Sequence, residues 1–380
     1  MIRKRWWTFA AWACLACLAC PVCPAPAAGT VEESIDAVRV AGSVDGGFQA
    51  AAESAGHLRR SLTGDDLPKL LDAMRDVDPV AENWLRGIIT DVARKAEGLP
   101  TESLADYAMD RSNNPIGRGM AMELVRTETP EQATKLIDQC LDDPSLPLRE
   151  MAVEQAIDKA RSAAAGDKSS AIAIYQAALT NARQPKQLQT IVEALNKLGE
   201  SVSLGGAFAM ITDWQAVGPF DNVDGVGFAA VYPPEQQFAS SAVVDLAAKP
   251  EGKHGVVSWK EVKGSDDDGK VDLAKAFDKE KGAVAYLYTE FDSPSEQAVQ
   301  VRLSCITANK VWINGREVMA NEVYHSGSAI DQYTADAKLR AGTNTILLKI
   351  CQNEQTESWA QEWEFQFRLT DPNGKALTSE

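Results

Sequence analysis

Trp363-Glu364-Phe365-Gln366-Phe367-Arg368-Leu369 alternates with a period of two, with Trp363, Phe365, Phe367 and Leu369 on one face and Glu364, Gln366 and Arg368 on the other. One apolar and one polar face predict a half-buried antiparallel strand, as a β-sandwich requires. Upstream, 283–291, 299–305, 310–313 and 345–351 read as further strands, rich in β-branched and aromatic residues. Asn314-Gly315 and Pro372-Asn373-Gly374 are tight-turn signals. This strand-rich composition begins near Trp214.

Before that point the signals are helical. Leu67, Leu70, Leu71 and Met74 recur at helical spacing, as do Trp84, Ile88 and Val92. Thr129-Pro130-Glu131-Gln132 predicts a helix start, with Thr129 as cap and Gln132 completing a capping box. Arg118-Gly119-Met120-Ala121-Met122-Glu123 is echoed by Arg149-Glu150-Met151-Ala152-Val153-Glu154, and each copy follows a proline. Such a period suits stacked HEAT-like helix pairs. The expected fold class is therefore multidomain, α then β: an α-helical repeat (solenoid-like) region over 30–200, a linker at 201–213 and an antiparallel β-sandwich or jelly roll over 207–380. Trp214 and Phe220 are expected to lock the sandwich against the last helices.

Residues 1–28 read as a signal peptide, with Arg3-Lys4-Arg5, an apolar run from Trp6 to Cys20 and small residues at Ala25-Pro26-Ala27. An exported protein is expected: periplasmic, cell-surface or secreted. Lipid attachment at Cys17 or Cys20 stands as the alternative to cleavage near Ala27. No later segment is long and apolar enough to predict a transmembrane helix. Beyond the leader only Cys140, Cys305 and Cys351 remain. The alternation places Cys305 on an apolar strand face and Cys351 opposite one, so free buried thiols are expected rather than a bridge. The full chain carries a net charge of −16, and the leader holds three bases and no acid. Such acidity argues against nucleic acid and anionic membranes as primary partners.

The chemistry-bearing residues concentrate late in the chain. Tyr324, His325, Asp331, Gln352, Asn353, Glu354, Trp359 and Gln361 form the candidate ligand-binding set. Amide groups both donate and accept, as sugar hydroxyls do, and aromatic faces stack on sugar rings. The bland alternative is that these groups tie down loops while Trp359 and Trp363 cap the core. His325 is expected to bond Asp331 or Glu354. No histidine pair has metal-ligand spacing. In Ser265-Asp266-Asp267-Asp268-Gly269, placing Gly269 at the EF-hand glycine puts Lys275 where a glutamate belongs. No metal and no cofactor is expected, and the acidic run reads as an exposed turn.

Two runs carry a resemblance. The hairpin around Val311-Trp312-Ile313-Asn314-Gly315, followed by Leu339-Arg340-Ala341-Gly342-Thr343-Asn344-Thr345-Ile346-Leu347-Leu348-Lys349, resembles the galactose-binding-like jelly roll of glycoside hydrolase family 2 enzymes. Nearly the whole chain after the leader is similar to a group of secreted planctomycete proteins, on Gly218-Pro219-Phe220-Asp221-Asn222, Tyr232-Pro233-Pro234-Glu235, Tyr324-His325 and Cys351-Gln352-Asn353-Glu354-Gln355. The resemblance implies architecture and export. The family 2 catalytic barrel has no counterpart here, so the expectation is a non-enzymatic glycan or polysaccharide binder whose helices present it or bind a protein partner. The alternatives are a scaffold in which the helical repeats do the binding, and a hydrolase using Asp331, Glu354, Glu357 or Glu362, which would need two carboxyls facing across a groove.

Overall fold

A computed structural model describes residues 29–379; the leader expected at 1–28, with its lipid-attachment cysteines, lies outside the described residues. A helical region precedes antiparallel sheets, and contacts divide the chain into two compact units at Gly98/Leu99. The first unit holds α1 (Val31–Arg39), α2 (Gly47–Ser61), α3 (Leu67–Asp72) and α4 (Pro79–Lys95). Thr30 and Glu33 cap α1 reciprocally, and the Asp78 carboxylate accepts from the Val80 and Ala81 amides to start α4. Leu67, Leu70, Leu71, Met74, Ile88 and Val92 are buried as their spacing predicts. Trp84 is only half-buried, and Leu85 takes the core position beside it.

The second unit opens with α5 (Thr101–Met109), α6 (Pro115–Glu128), α7 (Pro130–Ile137), α8 (Leu146–Ala163), α9 (Lys168–Asn181), α10 (Pro185–Lys197) and α11 (Leu204–Phe208). The two copies of the repeat lie at the starts of α6 and α8, which touch where a Cβ on Gly119 would fall 2.4 Å from Pro147 Cβ. Arg118 is buried and grips Asp143 with two parallel bonds of 2.9 Å, while its Nε donates to the Ala108 carbonyl at 2.7 Å. A buried guanidinium held this way secures the loop between the copies. The capping box expected at Thr129 does not form: its hydroxyl donates back to the Val125 carbonyl of the preceding helix instead. Residues 201–213, expected as a linker, carry α11, whose Phe208 is buried among α8–α10 residues and whose Gly205 amide donates to Asp267.

The strands are β1 (Asp213–Asp221), β2 (Glu251–Gly252), β3 (Gly255–Val256), β4 (Lys260–Lys263), β5 (Val271–Asp272), β6 (Ala283–Ser293), β7 (Gln297–Cys305), β8 (Asn309–Ile313), β9 (Arg316–Asn321), β10 (Tyr333–Leu339), β11 (Gly342–Gln352) and β12 (Glu364–Thr370). One sheet runs β4-β1-β6-β11-β8-β9 and a second runs β10-β7-β12-β5, with antiparallel pairing throughout. Asn314 and Gly315 have φ of 51° and 83° and turn β8 into β9, the left-handed pair that a two-residue hairpin demands.

Residues from both sheets form one hydrophobic cluster, including Trp214, Leu287, Val301, Leu303, Ile313, Leu348, Phe365 and Phe367. Trp214 meets Phe365 and Phe367 edge-on at 5.4 and 5.5 Å. It therefore lies between the sheets rather than against the helices. Phe220, on the same strand, points the other way and joins Tyr232 and Tyr286 outside the six-stranded sheet. The same parity separates the thiols. Cys305 is in the inter-sheet core and Cys351 on the outer face; both are free and buried, as is Cys140. Burial raises the thiol of Cys140 to about 11 and that of Cys351 to about 12, which keeps both protonated.

The central strands of both sheets are covered on their outer faces, while β10, β4 and β9 keep exposed residues. Over the six-stranded sheet lies the excursion 222–245, held by Lys349, whose Nζ donates to Phe228 O, Ala230 O and the Glu235 carboxylate. Tyr286 donates to the same carboxylate at 2.7 Å. Over the four-stranded sheet lie helices of the second unit: Arg368 sits 4.8 Å from the Phe208 ring centre. The polar face of β12, expected to be wet, is therefore dry, with Gln366 and Arg368 both buried.

Candidate functional site

The strand ends of the six-stranded sheet converge on the loop 353–363. Asn222, just after β1, is fully buried and donates through Nδ2 to Tyr324 Oη at 3.0 Å and to the Gln352 carbonyl at 2.9 Å. Its Oδ1 is buried without a partner among the described residues. Tyr324 is half-buried, and burial pushes its hydroxyl up to about 12, so it stays a neutral hydrogen-bonding group. His325, at φ 58°, pairs its Nε2 with Asn353 Nδ2 at 2.9 Å and meets Trp359 edge-to-face at 4.9 Å. The expected partners Asp331 and Glu354 are thus replaced by an amide.

Trp359 sits in a short turn, Ser358–Ala360, which Lys281 anchors by donating to the Ala360 carbonyl at 2.6 Å. The indole remains 60% exposed. Trp363, by contrast, is buried beside Phe277 and belongs to the core. Most amides around Trp359 are committed internally. Gln352 donates to Glu362 O, Gln361 donates to Thr356 O and Glu357 O, and Asn353 also reaches Gln355 Oε1. Glu354 accepts from the Asp224 amide. These are the loop-tying bonds of the bland reading. Glu354, Gln355 and Glu357, in the same loop as Trp359, are exposed.

Seven of the eight expected residues are thereby brought together; Asp331 is not. At φ 60° it joins β7 and β12 instead, accepting from Arg302 Nη1 at 2.8 Å and Arg368 Nε at 2.8 Å. Burial works to raise its pKa, but the bonds and charge of Arg368, then of Arg302, outweigh it and hold the carboxyl below the ordinary range. Asp331 is a buried ion-pair residue, unsuited to partner a second catalytic carboxylate near Trp359. Asn222 and Lys281 complete the site and were not singled out by the sequence. Asn222 lies in Gly218-Pro219-Phe220-Asp221-Asn222, which reads as a junction loop. Among the described residues no group of three His, Cys, Asp or Glu is placed to hold a metal.

No protein-family model matches the chain, and no curated protein sequence does. Among solved structures it is similar to the PA14 domain of an antifreeze protein at 13% identity and TM-score 0.21, over 26% of this chain and 48% of that one. It is also similar to the PA14 sugar-binding domain of an RTX adhesin at 12% identity and TM-score 0.25, over 44% and 94%. A third is a β-glucosidase from Kluyveromyces marxianus at 8% identity and TM-score 0.25, over 65% and 35%. The chain thus spans about half of the first and a third of the last. At these scores the likenesses carry no argument about function.

Proposed function

We propose that this is an exported, non-enzymatic protein whose C-terminal sheets bind carbohydrate at the surface around Trp359. In this reading the two sheets with their common core are a galactose-binding-like β-sandwich of jelly-roll form, and the paired helices before them are HEAT-like repeats that present it. The exposed indole is the observation that carries the reading. A large aromatic face left 60% open, met edge-on by His325 and carried on a loop whose Glu354, Gln355 and Glu357 are exposed, suits a sugar ring with its hydroxyls. Recognition through hydroxyls also suits an acidic chain, because neutral glycans meet no charge repulsion.

The test is a glycan and polysaccharide binding screen of the chain from residue 29 onward, with Trp359→Ala alongside. The second unit's helices and sheets stay together in it, since Phe208 and Arg368 are packed on each other. Binding by the parent that is lost in a folded variant supports the reading; a parent that binds no glycan overturns it. One observation favours the scaffold alternative: α6, α8 and α10 enclose a groove of about 850 Å³ lined by Arg126, Met151, Glu154, Arg161 and Lys186, a mixed surface such as protein partners use.

A further inference from the structure

Where the second unit's helices meet the four-stranded sheet there is a cavity of about 250 Å³. Its wall is built from Arg149 of α8, Arg183 between α9 and α10, Gln187 of α10, Arg302 of β7 and Asn373 of the last turn. Three arginines face it against one carboxylate, Glu150, which already accepts from Gln184. That excess is conspicuous in a chain of net charge −16.

Two of the arginines also lack a carboxylate partner among the described residues. Among the described residues, Arg149 donates only to the Asp142 and Asp143 carbonyls, and Arg183 only to the Thr180 and Ala182 carbonyls. Arg302 donates to Thr370 and Gln300 as well as to Asp331, but it shares Asp331 with Arg368, so two guanidinium charges face one carboxylate. Arg183 Nε and Gln187 Oε1 are buried with no hydrogen-bond partner among the described residues. Burial and then the charge of Arg149 lower the pKa of Arg183, with Asp371 opposing, so the two cations repel each other across the wall.

The internal repeat supplies a control. Arg149 occupies the place that Arg118 holds in the first copy. Arg118 has a buried carboxylate, Asp143, gripped at two points. Among the described residues Arg149 has no such partner, and beside it is the cavity. We infer that this cavity binds a compact oxyanion, a phosphate, sulfate or carboxylate group, held between Arg149, Arg183 and Arg302. Guanidinium forks match such groups with paired bonds, and the ion would supply the missing negative charge. A volume below the roughly 300–1,000 Å³ of drug-sized pockets restricts the occupant to a small ion or a single charged group. None of these residues belongs to the Trp359 surface, so the two readings stand or fall separately.

The test is thermal unfolding of the chain from residue 29 onward, titrated with sodium phosphate, sodium sulfate and sodium glucuronate, with sodium chloride at matched ionic strength. The expected result is a saturable rise in Tm with at least one oxyanion and none with chloride. The oxyanion that saturates at the lowest concentration identifies the head group. Arg183→Met should move the midpoint of that rise up by at least about tenfold. Asn373→Asp should do the same from an exposed turn whose side chain supports no element, which decides the matter if Arg183→Met fails to fold. An unsaturable rise, equal in parent and variants, is general salting-out and overturns the inference. So does no rise, or a rise matched by chloride.

Discussion

Trp359 and Lys349 are opposite cases of one residue in one environment. Trp359 is 60% exposed and meets His325 edge-on, so Trp359→Ala should leave Tm unchanged while weakening glycan binding about tenfold, near the upper range for an aromatic contact of roughly 0.5–1.5 kcal/mol. Titration calorimetry of parent and variant checks both halves. Lys349 is wholly buried, and its charge is met by Glu235 and two carbonyls. Burial works to lower its pKa, and the Glu235 bond opposes that. Lys349→Met would strand the Glu235 carboxylate beneath Phe228 and Tyr232, at a cost of about 3–5 kcal/mol. Lys349→Met combined with Glu235→Gln should recover most of it. Urea unfolding of the single and double variants measures this, and a single variant as stable as the parent would sink the idea.

At the scale of elements, the contact between α6 and α8 sets two effects against each other. Gly119→Ala should gain up to about 1 kcal/mol of helix propensity. The new Cβ would sit 2.4 Å from Pro147 Cβ and 3.0 Å from its Cγ. A proline ring at a helix start cannot rotate away, so overpacking of about 1–3 kcal/mol should win and lower Tm. Chemical denaturation of the variant gives the sign directly. The Asn314-Gly315 hairpin was legible from its dipeptide, because few residues accept two consecutive left-handed conformations. The capping of α7 was not: Thr129 also ends the preceding helix, where its amide and its hydroxyl both donate to the Val125 carbonyl. Similarly, alternation along β12 gave its two faces correctly yet not what covers the polar one. Period-two patterning reports polarity, and a polar face can be buried if charge and hydrogen bonds are met, as Asp331 meets Arg368.

For the molecule as a whole, Asp331 joins the loop before β10 to both β7 and β12, next to Ile330 in the helical core. Its folded pKa lies below the ordinary carboxylate value of about 3.9. The stabilisation it contributes is thus complete above the unfolded value and is lost as pH falls through the folded one. Asp331→Asn should cost about 3–5 kcal/mol at pH 7 by leaving two guanidiniums unpaired. The gap between parent and variant should narrow below about pH 4, and urea midpoints from pH 7 down to pH 3 follow it. The sequence alone determined the order α then β, most strand positions, the β8–β9 turn and the separation of Cys305 from Cys351, because periodicity and turn chemistry are local properties of the chain. It also named most of the residues around Trp359, since those that close a loop between neighbouring strands stay close along the chain. Only the tertiary structure decided that Asp331 leaves that group for the other sheet, that Asn222 joins it from 102 positions away from Tyr324, and that Arg149 lacks the carboxylate its counterpart Arg118 has. Those outcomes depend on which charged groups are brought together when the helices close over the four-stranded sheet and the 222–245 excursion closes over the other. Coulomb and desolvation terms act through space, and spacing along the chain does not encode them.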